Sequence, residues 1–410
     1  MFAGRAIAKV VEACKKYFPA LAFLIICFPF VIMQNWDALV RISLEKTFGD
    51  LRLLTSNSEC YLDGITQVSN LNCDPWGRDF NYPKIWLKLA TFFQVKESHT
   101  EFIGVILILL LFFTFVLLIF LMQSKSMRTS LSEKFRIVMS TVIFCSPPSF
   151  FLAERGNIET IVFLLLLLIA FLPLRFFYFS VMIWILASNL KIYPLVSAAF
   201  MFLSPGKFRR ALWCLGLGLF IFGFCTARQL SHLSKTSDYF PFDSYGSQIF
   251  SRMLCYPQTN SGLLCNPASQ VFLGIATLAF VWAAIQLTTS REYSRVQGIF
   301  REVLLNSPNS RKIMITFGST FLFTYLIGTN WDYRLILLYP ITLLALNSDA
   351  SAKEIKMVLM ILIAPLYLSY NEWVPLQILG DLILIPLFFL ILSLLISIYK
   401  ESIRIAKVRN

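Results

Sequence analysis

The chain has 410 residues, of which 57% are hydrophobic, 15% aromatic and only 14% charged, and its mean hydropathy is +0.69. A water-soluble chain carries about 25% charged residues, so this composition excludes a surface covered by water and leaves an integral membrane protein. The net charge of +13 falls in short clusters between apolar runs, which sets membrane topology and argues against a nucleic-acid partner.

A spanning helix needs about 20 apolar residues, although shorter or broken segments occur where protein covers the backbone. The apolar runs predict segments at 17–33, 101–122, 137–153, 158–173, 176–189, 191–204, 211–226, 270–288, 313–330, 333–346, 357–370 and 375–398. The fold class is therefore an all-α polytopic membrane protein, with about 10–12 transmembrane or half-spanning helices forming one transmembrane domain over residues 1–410. The first apolar run lacks a small-residue cleavage site after it, so no cleavable signal is expected.

Basic clusters precede the first run (Arg5, Lys9, Lys15, Lys16) and follow the second (Lys125, Arg128, Lys134, Arg136). Others lie at Lys207, Arg209 and Arg210, along Arg291 to Lys312, and at the tail from Lys400 to Arg409. Putting these on one side places both termini in the cytoplasm and the long loops 34–100 and 227–269 outside. The assignment requires 176–204 to be two short segments meeting at Asn189-Leu190-Lys191-Ile192-Tyr193-Pro194, a broken helix facing a cavity. A single tilted helix with Lys191 snorkelling is the competing reading.

Within the first outer loop, residues 41–56 read as a helix lying on the interface, because Leu44, Phe48, Leu51 and Leu54 recur at helical spacing beside Arg41, Lys46 and Arg52. Residues 82–100 read as another, with Trp86 and Phe93 facing lipid. Cys60 and Cys73 share this loop and Cys255 and Cys265 share the second, so each loop has either an internal disulfide or two free thiols.

Polar residues are expensive in a membrane and gather here at predicted outer ends. Asp37 follows the first run in Gln34-Asn35-Trp36-Asp37 and serves either as a proton acceptor or as a helix cap. The stretch from Cys73 to Trp86 carries Asp74, Arg78, Asp79, Asn81 and Tyr82 around turn-forming Pro75 and Gly77. Carboxylates and asparagine can bond sugar hydroxyls, aromatic faces can stack on sugars and arginine can clamp a phosphate; the alternative is that Asp74 and Asp79 pair with Arg78 to shape the loop. Glu154-Arg155-Gly156-Asn157, with Glu159 following, and Asp332-Tyr333-Arg334 repeat the pattern in short outer turns, as does Asn371-Glu372-Trp373. These turns, Asp37, Arg78, Lys191 and Tyr193 are expected to line one outward cavity, with Arg155, Lys191 and Arg334 as phosphate ligands. Asp/Glu–Arg pairs that hold helix ends together are the structural alternative.

Two histidines leave no basis for a histidine metal cluster, and the sequence has no P-loop, Rossmann glycine pattern, HExxH or serine-triad motif. No cofactor is expected, while a divalent metal on Asp74 and Asp79 stays open. An enzyme of this kind needs a substrate activated elsewhere, which a polyprenyl-phosphate sugar would provide.

Asp37, the stretch 74–83, Glu154-Arg155-Gly156-Asn157-Ile158, Lys191-Ile192-Tyr193-Pro194-Leu195 and Asp332-Tyr333-Arg334 resemble bacterial mannosyltransferase-like proteins of the glycosyltransferase C superfamily, in their polyprenyl-phosphate-mannose-dependent branch. The phenylalanine-rich spans and cysteine-bearing loops depart from that pattern. The resemblance implies a glycosyltransferase C-like fold in a bacterial inner membrane. It also implies inverting transfer of a hexose from a polyprenyl-phosphate donor to a glycan or glycolipid acceptor on the outer face. Asp37 would deprotonate the acceptor, and no metal is required. The alternatives are a polymerase or ligase for lipid-linked polysaccharide and a secondary transporter or flippase; the oligomeric state is open.

Overall fold

The computed structural model describes residues 48–65, 73–78, 80, 82–123, 130–203, 208–225, 244–245, 286, 290–305, 308–326, 330–369 and 374–409. The predicted segments 17–33 and 270–288 therefore lie wholly or almost wholly outside the described residues. What is described is helical, with strand structure limited to an antiparallel pair, Ser244–Tyr245 (β1) with Asn330–Trp331 (β2).

The helices in chain order are α1 (Gly49–Leu62), α2 (Lys84–Phe92), α3 (Thr100–Gln123), α4 (Glu133–Phe144), α5 (Pro147–Arg155), α6 (Glu159–Phe171) and α7 (Phe177–Leu190). After a 3-10 segment, Tyr193–Leu203, come α8 (Phe208–Cys225), α9 (Arg291–Leu304) and α10 (Pro308–Ile313), which passes through a π-helical turn, Met314–Gly318, into α11 (Ser319–Leu326). A second 3-10 segment, Asp332–Leu338, leads to α12 (Tyr339–Leu346), α13 (Ala352–Leu368) and α14 (Val374–Arg409).

Among the described residues three stretches are long and apolar enough to cross a membrane, Glu97–Met122, Phe208–Cys225 and Leu379–Ser402, and α4 with α5 makes a fourth if their 42° bend is one broken span. The bend has a local cause: Ser146 precedes Pro147 and Pro148, and proline cannot continue the hydrogen-bond ladder of α4. Exposed apolar side chains agree with a lipid surround, since Phe102, Leu109 and Phe113 of α3 and Trp213, Phe220 and Phe224 of α8 all point outward. Gly218 is the point where α8 docks, because a Cβ there would strike the indole of Trp184, whereas Gly216 and Gly223 face open space. Of the other predicted segments, four are shorter helices, Glu159–Phe171, Phe177–Leu190, Tyr193–Leu203 and Arg334–Leu346, while 313–330 falls on the π-helical turn and α11, and 357–370 falls on α13.

The predicted break at 189–194 is present. Helix α7 ends at Leu190, Lys191 is extended, and the chain resumes as the 3-10 segment. The Trp184 indole N–H donates to the carbonyls of Pro194 at 3.1 Å and Leu195 at 3.2 Å. The later segment thus folds back along α7.

Two expectations for the first outer loop need correction. Helix α1 starts at Gly49, after Phe48 in the left-handed region (φ 59°), and is not a helix with one face on lipid. It buries Leu51, Arg52, Leu53, Leu54 and Thr55 to Ser58, because Arg52 pairs with Glu97 at 3.2 Å and Thr55 bonds Thr100 at 2.7 Å, tying it to the start of α3. In α2, Phe93 beyond its end is exposed as expected, but Trp86 is buried. Its indole N–H donates to the Leu190 carbonyl at 2.9 Å, satisfying an acceptor that the end of α7 leaves open.

Candidate functional site

Helix ends generate the site. Helix α5 ends, α6 begins and α7 ends on one side of the bundle, and the loop from Cys73 to Tyr82 covers that side. The α5–α6 turn is made by Gly156 in the left-handed region (φ 58°), where its N–H bonds the Ala153 carbonyl at 3.1 Å and the next N–H bonds Leu152 at 3.3 Å. A Cβ at Gly156 would lie 3.0 Å from the Phe48 ring and 3.3 Å from Leu51. The turn and α1 are thus fitted to one another, and Phe48 N–H seals the contact on the Glu154 carbonyl at 3.1 Å.

Two ionic groups result. In the first, Asp50 of α1 faces Arg155 at 3.6 Å and Arg78 at 3.7 Å, and accepts a hydrogen bond from the Asn157 amide at 2.5 Å. Asn157 also caps the next helix, since its side-chain oxygen accepts from Glu159 N–H at 2.9 Å. In the second, buried Glu159 accepts from Arg334 Nε at 2.9 Å and from the Tyr193 hydroxyl, and Lys191 Nζ lies 3.6 Å away. Tyr82 joins the groups: its ring sits under Lys191 at 4.5 Å and its hydroxyl accepts from Asn157 at 3.4 Å. Arg334 also lies over the Tyr193 ring at 5.5 Å.

Asp74 and Arg78 form a loop lock. Asp74 accepts from Arg78 Nε and Nη2, both at 2.9 Å, and from the backbone N–H groups of Trp76 and Arg78. Arg78 spends a further N–H on the Gly49 carbonyl at 2.6 Å and stacks on Trp76 at 4.7 Å. Burial works against its charge, but Asp74 and Asp50 outweigh that and hold its pKa above the ordinary arginine value. An Asp74 with this many donors is a loop-shaping acceptor, and among the described residues no three His, Cys, Asp or Glu side chains are grouped to hold a metal ion. Cys60 and Cys73 are joined as a disulfide that ties the end of α1 to this loop.

Of the residues singled out from sequence, Asp74, Arg78, Tyr82, Arg155, Asn157, Lys191, Tyr193 and Arg334 are thus brought into one connected network. Glu154 contributes its backbone carbonyl to Phe48. Asp332 and Tyr333 begin the 3-10 segment that carries Arg334, without description of their side chains. Asp37, Asp79, Asn81 and the Cys255–Cys265 pair lie outside the described residues. The candidate set lacked both acidic centres of the network, Asp50 and Glu159. Glu159 stands one helical turn from the Arg-Gly-Asn element and was legible as an acid in a short outer turn; Asp50 carries no such signal, being one more acid in a polar loop.

No protein-family model matches the chain, and no curated protein and no solved structure is similar enough to count as a match.

Proposed function

We propose that the chain is a membrane glycosyltransferase that moves a hexose from a polyprenyl-phosphate donor to a glycan or glycolipid acceptor. The observation that carries the reading is the convergence of Arg78, Arg155, Lys191 and Arg334 from segments far apart in sequence onto one end of an apolar bundle. Several of their ion pairs are loose: 3.6 Å for Lys191–Glu159, 3.6 Å for Arg155–Asp50 and 3.7 Å for Arg78–Asp50, against about 2.7–2.9 Å for a charge-assisted hydrogen bond. A phosphate oxygen that reaches such a cation gains a charge-assisted contact shorter than the ion pair it replaces.

In this reading Asp37 takes the proton of the acceptor hydroxyl, the hydroxyl attacks the anomeric carbon in line, and polyprenyl phosphate leaves. Arg155, Lys191 and Arg334 meet the charge that develops on the leaving phosphate, a contribution that fixed cations make without reorganising at the moment of reaction. Tyr82 and Tyr193 offer ring faces to the sugar, and Asn157, whose amide is committed to Asp50, Tyr82 and the Glu159 N–H, holds the turn beside them. The positive-inside distribution of lysine and arginine supports cytoplasmic termini and an outward-facing site in a bacterial inner membrane.

The test is transfer of labelled sugar in membranes expressing the wild type or Asp37→Asn, supplied separately with polyprenyl-phosphate mannose, polyprenyl-phosphate glucose and a lipid-diphosphate oligosaccharide. Transfer from a monophosphate donor by the wild type and its loss in Asp37→Asn at equal membrane level is the expected result. Transfer only from the diphosphate oligosaccharide, or none from any donor, overturns the proposal.

A further inference from the structure

Two helices that carry none of the network, α4 and α13, hold a feature of different chemistry between them. Helices α4 and α13 run side by side in the same sense, with Lys356 Nζ 5.8 Å over the Phe135 ring at one level and the Tyr367 hydroxyl donating to the Val142 carbonyl at 2.6 Å further along. Between them lies a groove of about 450 Å³. Its walls are Phe135 and Met139 on one side and Met360, Ile363, Ala364 and Leu368 on the other. The one hydroxyl in it, that of Tyr367, is already committed to Val142.

Its length and charge select an occupant. From Lys356 to Leu368 the helix rises about 18 Å at 1.5 Å per residue, close to the roughly 15 Å of a single leaflet's hydrocarbon. Met360, at its middle, is 68% exposed, which places an apolar wall against lipid. Cations collect at the Phe135 end only: Lys356 and Lys353 on α13 and Lys134 on α4 are exposed, with Arg136 beside them. The acids there are Glu133, Asp349 and Glu354; Asp349 is exposed beside Ala350, whose carbonyl accepts from Ser130, and Glu354 is taken up in a capping box with Ser351, so the four cations still outnumber the acids. Amphipathic α9, which packs on α13, carries exposed Arg291, Arg295 and Arg301 together with exposed Glu292 and Glu302.

We propose that this groove holds one anionic phospholipid, an acyl chain lying along Met360 to Leu368 and the headgroup phosphate on Lys356. The site is separate from the charged network and independent of the sugar-transfer reading. Its chemistry is that of a snorkelling lysine over a chain-length apolar trough, which distinguishes a charged lipid from a neutral one by the headgroup alone.

The test is native mass spectrometry of the full chain released from detergent, titrated with phosphatidylglycerol or phosphatidylcholine bearing identical acyl chains. The wild type should retain phosphatidylglycerol about fivefold more strongly, the factor expected for one surface lysine. Lys356→Glu, at an exposed position, should abolish that preference. Ala364→Trp, which fills the trough, should lower retention of both lipids about tenfold. Equal retention of the two lipids by the wild type, persistence of the preference in Lys356→Glu, or unchanged retention in Ala364→Trp overturns the proposal.

Discussion

Replacing Glu159 with glutamine keeps the shape of the side chain and removes its charge. Glu159 is 1% exposed, accepts from Arg334 Nε at 2.9 Å and faces Lys191 at 3.6 Å. The substitution would leave two cations sharing a site that no longer holds a compensating charge. At an effective dielectric constant of about 20, a unit pair near 4 Å is worth about 4 kcal/mol, and breaking one partner out of a buried pair costs about 3–5 kcal/mol. We expect a loss in that range, seen as a fall in thermal midpoint of roughly 6–10 °C for the protein in detergent, taking about 2 °C per kcal/mol for a large chain. The double variant Glu159→Gln, Lys191→Met should recover part of the loss, because it removes one of the two stranded charges. Scanning fluorimetry on all three proteins measures this. A fall of less than about 1 kcal/mol for the single variant, or no recovery in the double, would refute the claim that Glu159 is the electrostatic centre of its group.

Gly156→Ala should destabilise by about 1–2 kcal/mol through its left-handed backbone alone, and by more if the Phe48 ring, 3.0 Å from the new methyl, cannot yield; a neutral effect would mean the α5–α6 turn is not shaped as described. Cys60→Ser frees a loop of 13 residues' separation and should cost about 2–3 kcal/mol by chain entropy, while in the wild type Cys60 and Cys73 should take up alkylating reagent only after reduction; equal labelling of these two cysteines with and without reductant contradicts the bridge. Trp86→Phe should cost about 1–3 kcal/mol by stranding the Leu190 carbonyl, and an unchanged midpoint would count against that bond.

How much could be read in advance follows from the range of each interaction. Helix α3 and the span within α14 were legible because a sustained apolar run in a membrane has few alternatives to a helix. The break at Lys191 was legible because a lysine and a proline together cannot continue an apolar span. What holds α1 inside the protein was not legible: Arg52 read as part of a polar face, and its burial comes with Glu97, while Thr55 bonds Thr100, both partners more than 40 positions away. Trp86 failed for the same reason, its partner being 104 residues on. Within the network the cations were recognised individually. Of the carboxylates that organise them, Glu159 was legible as an acid in a short outer turn though not as the centre of a group, and Asp50 became visible only when the fold set it against Arg78 and Arg155.

A network that receives the phosphate of a lipid-linked sugar should bind polyprenyl phosphate, the expected leaving group, and this binding can be measured on the full-length chain in detergent. Wild type, Lys191→Gln and Lys356→Glu would be compared by the shift in thermal midpoint against ligand concentration. Lys356→Glu removes any binding at the groove on α13 and should keep binding at the network, and loss of one charge-assisted contact of about 1.5–3 kcal/mol should weaken that binding at least tenfold in Lys191→Gln. Absence of binding to the wild type, or equal affinity in wild type and Lys191→Gln, would contradict the account.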